Sequence, residues 1–117
     1  MGANHEYHKE VRPWGEFERF TLNEPCTVKL ITIKPNQALS LQQHDHRDEE
    51  WRILRGSGSV TVEENVTGVR PGDEFFVGRG KAHRIAAGPE GLQVLEIAFG
   101  DFDEADIIRF SDKYGRA

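Results

Sequence analysis

The sequence predicts an all-β fold in a single domain. Three observations carry this: segments rich in β-branched residues that alternate polar and apolar, turn signals at roughly 8–12-residue intervals, and a length that suits one core. Turns at that spacing mark a sandwich or barrel. At 117 residues the chain can bury one core and not two. The organisation expected is a loose polar tail over residues 1–10 and one domain over residues 11–117.

Taken in order, Pro13 and Gly15 bracket Trp14 and suggest a turn pinned by an aromatic. Glu16–Phe20 alternates as a half-buried strand does. Cys26–Ile33 (CTVKLITI) is β-branched and alternates again. Lys34-Pro35-Asn36 is a turn, in which Asn tolerates the left-handed conformation. Leu39–His44 and Glu49–Leu54 read as further strands, the second ending at Gly56-Ser57-Gly58. Val60–Glu63 and Val66–Val69 surround a hairpin tip at Glu64-Asn65, and Pro71-Gly72 is a strong turn signal. Glu74–Val77, His83–Ala86 and Leu92–Phe99 complete the strand set. Asp103–Phe110 suits a short helix or a last strand.

Composition excludes several classes of function. Hydrophobic residues make up 37% and charged residues 30%, a soluble globular balance. The net charge of -5, with no basic cluster, argues against a nucleic-acid partner. No apolar run approaches the ~18 residues of a membrane span, and the polar N-terminus has no signal-peptide core. The single cysteine, Cys26, permits no internal disulfide and reads as a small buried side chain. A cytoplasmic protein is expected.

One constellation carries chemistry. Gln42 and His44 are two apart and share one face of a strand. Glu49 follows on the next strand, and His83 opens a later one just after Gly80. A divalent metal wants three or four N/O ligands converging from rigid elements, and these strands can supply them. The metal site expected is Gln42 and/or His46 with His44, Glu49 and His83. Singly, each of these residues reads as an ordinary surface or core group; their joint spacing does not.

The same spacing resembles the two cupin motifs. Asn36, Gln42, His44, Glu49 and Gly56 fit the first, with Asn for its first Gly and Gln for its first His. Gly72, Gly78, Gly80 and His83 fit the second, with Gly78 where Pro is usual and Ala87 where Asn is usual. The fit favours Gln42 over His46 as fourth ligand. A Gln-x-His pair with a Glu and a His is similar to the zinc site of type I mannose-6-phosphate isomerases.

Three longer stretches narrow the likeness: Arg12–Phe20 (RPWGEFERF), Lys34–Trp51 (KPNQALSLQQHDHRDEEW) and Asp106–Arg116 (DIIRFSDKYGR). In this order they resemble landmarks of the C-terminal isomerase domain of type II mannose-6-phosphate isomerases. The resemblance implies a small cupin, a double-stranded β-helix or jelly-roll barrel. It implies aldose–ketose isomerisation through a metal-stabilised enediolate, on a small sugar phosphate. The metal implied is zinc first, with manganese, cobalt, nickel or iron as alternatives.

In those proteins the cupin commonly follows a guanylyltransferase domain. The sequence read here has no such segment, so nucleotidyl transfer is not expected of it. For the isomerase chemistry, His46 is a spare ligand or the base, and Glu96, a charge in the apolar run VLEIAF, is a second base candidate. Arg84, Arg47 and Lys81 are phosphate candidates, Arg being suited to bidentate contacts. Trp14 and Trp51 are candidates to line the pocket, and His5 and His8 read as bystanders.

Two departures weigh on activity. Ala38 stands where the resembled proteins carry a basic residue, and Glu50 where they carry His. They keep open a non-catalytic sugar-binding cupin, beside another metal-dependent cupin enzyme such as a dioxygenase. A homodimer is expected from the likeness.

Overall fold

The computed structural model describes residues 7–103 and 105–111, and every element among them is a strand. His5 and the end of the Asp106–Arg116 motif lie outside the described residues. Strands β1 (His8–Arg12) and β2 (Gly15–Arg19) form a hairpin, a two-stranded sheet of their own with Trp14 in its turn. The loose tail expected up to residue 10 is thus already strand from His8. The register His8–Arg19 to Arg12–Gly15 supplies backbone hydrogen bonds that do not depend on apolar side chains.

Arg52 ties this hairpin to the body of the protein. Its guanidinium donates to both Glu18 oxygens at 2.7 and 3.2 Å and to Glu74 at 3.0 Å, and it lies 5.2 Å from the Phe20 ring centroid. The Tyr7 hydroxyl also donates to Glu18, at 2.6 Å. The Arg52 and Tyr7 hydrogen bonds pull the Glu18 carboxyl from 4.5 down to about 2. A depressed carboxyl pKa stabilises the fold fully above its ordinary value, and the contribution is lost as pH falls through the folded value. Glu18→Gln is therefore expected to be less stable than the native protein above pH 4.5. The two stability curves should converge as pH falls towards about 2. Acid titration of both proteins by circular dichroism measures this, and a constant offset down to the lowest pH would refute it.

The remaining strands form one main sheet, wrapped on itself. They are β3 (Cys26–Ile33), β4 (Leu41–Gln43), β5 (Arg47–Val62), β6 (Asn65–Val69), β7 (Glu74–Val77), β8 (His83–Gly100) and β9 (Ile108–Ser111). The hydrogen-bonded order is β6-β5-β8-β4-β9, with β3 also on β8 and β7 also on β5.

Two expected breaks are absent. β5 runs straight through Gly56-Ser57-Gly58, and β8 joins the two strands read at His83–Ala86 and Leu92–Phe99. They pair antiparallel from Arg47–Gly100 to Val62–His83, with register shifts between Ile53 and Arg55 and between Gly56 and Gly58. A Cβ on Gly56 would lie 2.1 Å from the Gly91 carbonyl oxygen, and one on Gly58 2.1 Å from that of Ala86. These glycines let two bent strands approach closely; they are not turns. The β5–β6 tip falls at Glu63-Glu64, one residue earlier than expected. Asn36 adopts a φ of 61°, as the turn reading requires. The ambiguous terminal segment gives strand β9, because β4 offers it an edge to pair with.

Inward positions of β5 follow period two: Arg47, Glu49, Trp51, Ile53, all at most 5% exposed. Along that line the interior passes from polar to apolar. The apolar part packs Trp51 and Ile53 with Ile33, Val60, Ile85 and Val94. The polar part opens on a cavity. Among the described residues no helix is long and apolar enough to cross a membrane.

Candidate metal centre

Three strands bring His44, Glu49 and His83 together. His44 directly follows β4, Glu49 sits on the inner face of β5, and His83 opens β8. One ligand atom from each lies within 4.8 Å of the others. His44 Nε2 is 3.5 Å from Glu49 Oε2, and His83 Nε2 is 3.8 Å from Glu49 Oε1. All three side chains are at least nine-tenths buried.

Each imidazole is oriented by its other nitrogen. His44 Nδ1 donates to the Asp106 carbonyl at 2.6 Å, and His83 Nδ1 to the Lys81 carbonyl at 3.0 Å. A carbonyl can only accept, so each Nδ1 carries a proton, and in the neutral ring Nε2 is the nitrogen left to ligate. This carbonyl–imidazole pairing is the outer support metal-bound histidines ordinarily have. The separations suit ligands sharing an ion at about 2.0–2.2 Å each. The donor set fits a divalent cation, and His44, Glu49 and His83 would hold it.

Glu49 is itself fixed from two sides. Arg47 Nε donates to its Oε2 at 2.8 Å, and Trp51 Nε1 to its Oε1 at 3.1 Å. Arg47 Nη2 also donates to His44 Nε2 at 3.1 Å, and the guanidinium lies 4.4 Å from the Phe102 ring centroid. Burial alone would raise the Glu49 pKa, but the neighbouring His83, the Arg47 hydrogen bond and His44 outweigh it and hold the carboxyl below its ordinary value. Burial pushes the His83 pKa down, against the pull of Glu49, and so favours the neutral, ligating form.

These groups line a cavity of about 330 Å³ shared with Gln42, Lys29, Glu96 and Arg109. Gln42 is opposite His83 in register, so its side chain projects to the same side. Glu96 is 6% exposed, and its buried Oε1 has no hydrogen-bond partner among the described residues, the nearest cation being Lys29 at 3.9 Å. Burial, then the charge of Glu49, raises its pKa to about 7.

Other expected residues lie elsewhere. His46 is exposed in the bend before β5; its backbone N–H donates to Asp106, and its side chain borders a separate depression beside Asp45, Asp101 and Asp103. Its side chain does not line the cavity, because period two turns Arg47 and Glu49 inward instead. Arg84 follows His83 on β8 and takes the opposite face, away from the cavity. Lys81 contributes its carbonyl to His83 and not its ammonium to the cavity. Of the expected phosphate candidates, Arg47 alone lines the site, and Trp14 is 71% exposed on the hairpin. Ala38 borders a different depression, and Glu50 is not among the cavity groups, so neither sequence departure touches the site.

Two lining cations were missed. Lys29 was legible, being in phase with buried Ile33 along an alternating strand. Arg109 had no phase to read, because its segment suited a helix and a strand alike.

Fold and site together define a cupin, a double-stranded β-helix with a candidate His/Glu/His metal site on its inner wall. Residues 2–112 match the family described as "Mannose-6-phosphate isomerase C-terminal", and the chain belongs to that family. It is similar to mannose-1-phosphate guanylyltransferase of Escherichia coli (strain K12), 34% identical over 115 residues, covering 96% of this chain and 24% of the relative. The chain thus spans about a quarter of that relative's length. Among solved structures it resembles oxalate decarboxylase from Bacillus subtilis (TM-score 0.68, 25% identity, 74% of this chain and 24% of that one). It also resembles a putative sugar phosphate isomerase from Acidithiobacillus ferrooxidans (TM-score 0.59, 28% identity, 67% of this chain and 51% of that one).

Proposed function

We propose that this chain is a metal-dependent sugar-phosphate isomerase that interconverts mannose 6-phosphate and fructose 6-phosphate. The carrying observation is the shared cavity: a buried His44/Glu49/His83 triad beside Glu96, a carboxyl whose pKa is raised to about 7. Its volume of about 330 Å³ falls within the small-molecule range. The family match and the likeness to a putative sugar phosphate isomerase support the same reading.

The reaction moves a proton between C2 of the aldose and C1 of the ketose, and a hydroxyl proton between the two oxygens. Glu96, as its carboxylate, takes the carbon-bound proton from C2 and returns it to C1. A base with a pKa near neutral can do both. A divalent ion on His44, Glu49 and His83 would supply Lewis-acid stabilisation of negative charge on the C1 and C2 oxygens. Arg47 and Trp51 hold Glu49 ionised and oriented. Buried Ile85 and Trp51, with half-buried Leu39, form the apolar side of the cavity and limit water around the reacting carbons.

Zinc is the first choice of ion, although N/O sites of this kind accept several. Protein loaded in turn with zinc, cobalt and manganese is expected to interconvert the two hexose phosphates in a coupled assay. Absence of turnover with every metal would remove the reading, and oxygen consumption by an iron-loaded sample would favour a dioxygenase instead.

A further inference from the structure

The registers arrange the cavity groups in two cross-strand rows. Trp51, Glu96 and Lys29 stand opposite one another on β5, β8 and β3. His83, Gln42 and Arg109 stand opposite one another on β8, β4 and β9. Directly paired residues of antiparallel strands project to the same side. The first row runs from Trp51, which donates to Glu49, through Glu96 to Lys29, and the second from the ligand His83 through Gln42 to Arg109, so each ends in a cation.

Depth follows the same order. His44, Glu49 and His83 are at most 6% exposed, whereas the Lys29 side chain is 37% exposed and Arg109 is half-buried. Arg47, the third cation, is bound to Glu49 and His44 and stacked on Phe102, so it serves the ligands. Lys29 also lies over Phe102, 4.6 Å from the ring centroid, which fixes its ammonium near the cavity. From His83 to Arg109 is two strand spacings, about 9–10 Å, comparable with the reach of an extended six-carbon phosphomonoester.

We infer that Lys29 and Arg109 together form the anion clamp of this cavity, holding the phosphate of a phosphomonoester sugar while its far end lies against the His44/Glu49/His83 triad. The guanidinium offers a planar fork and the ammonium a point charge, a pairing suited to a phosphate dianion. The clamp makes these two residues determinants of specificity for phosphorylated over free sugars. It rests on the proposed isomerase for the identity of the sugar, but not for the presence of the anion site.

The test is calorimetric binding of mannose 6-phosphate and of mannose to the zinc-loaded protein. Native protein is expected to prefer the phosphate ester. Lys29→Met and Arg109→Met should each weaken ester binding roughly tenfold or more, the size of one charge-assisted hydrogen bond. Metal stoichiometry should stay unchanged, and the double variant should bind ester and free sugar alike. Lys29→Arg and Arg109→Lys, which keep the charge, should retain most of the preference and guard against a folding artefact. Equal affinity of the native protein for ester and sugar, or an undiminished preference in the double variant, would overturn the clamp. Turnover separates the two ideas. Ester preference without isomerisation keeps the clamp and removes the isomerase. Isomerisation by the double variant at the native KM does the reverse.

Discussion

Glu49→Gln is expected to reduce divalent-metal affinity by more than about 100-fold, since even loss of an outer-shell partner costs about 10–100-fold. The substitution keeps the side chain's size but removes the one anionic oxygen donor of the triad. It should also destabilise the metal-free protein. Arg47 is 5% exposed and donates to Glu49, so the change leaves a buried guanidinium without its carboxylate. Breaking a buried pair from one side costs about 3–5 kcal/mol. A second substitution, Arg47→Met, placed on Glu49→Gln should recover much of that stability and none of the metal affinity. Urea unfolding with a metal-competition titration on the same samples measures both quantities. Native metal affinity in Glu49→Gln would mean that the triad is not the ligand set.

Glu96→Gln should have the opposite signature. Metal affinity and fold are expected to persist, while isomerase kcat falls about 10²–10⁴-fold, the range for losing a positioned general base. Stability should be unchanged or slightly higher, because the group removed is a desolvated carboxyl whose Oε1 has no hydrogen-bond partner among the described residues. Parallel loss of metal and turnover would instead make Glu96 a ligand. Comparing the two variants therefore separates the holder of the ion from the carrier of the proton, although both carboxylates share one cavity.

The site was legible as far as local periodicity reaches. Two-residue spacing put Gln42 and His44 on one strand, and a lone charge in the apolar run VLEIAF singled out Glu96. The same argument applied to CTVKLITI would have exposed Lys29, which shares its face with Ile31 and Ile33. Glycines misled because they have two uses. Gly56-Ser57-Gly58 was read as the end of a strand, but Gly56 and Gly58 allow close strand approach, visible only once β5 and β8 are paired.

By itself the sequence determined the all-β class, the cupin spacing of His44, Glu49 and His83, and the strand that presents Glu96. These depend on side-chain alternation and on turn residues close together in the chain. Tertiary structure alone decided that Arg47 locks Glu49, that His46 and Arg84 face away, and that Lys29 and Arg109 close the two rows. Those outcomes depend on which strands lie side by side and in what register. Residues as far apart as Gln42 and Arg109 meet only through backbone pairing, and no local pattern encodes that partnership.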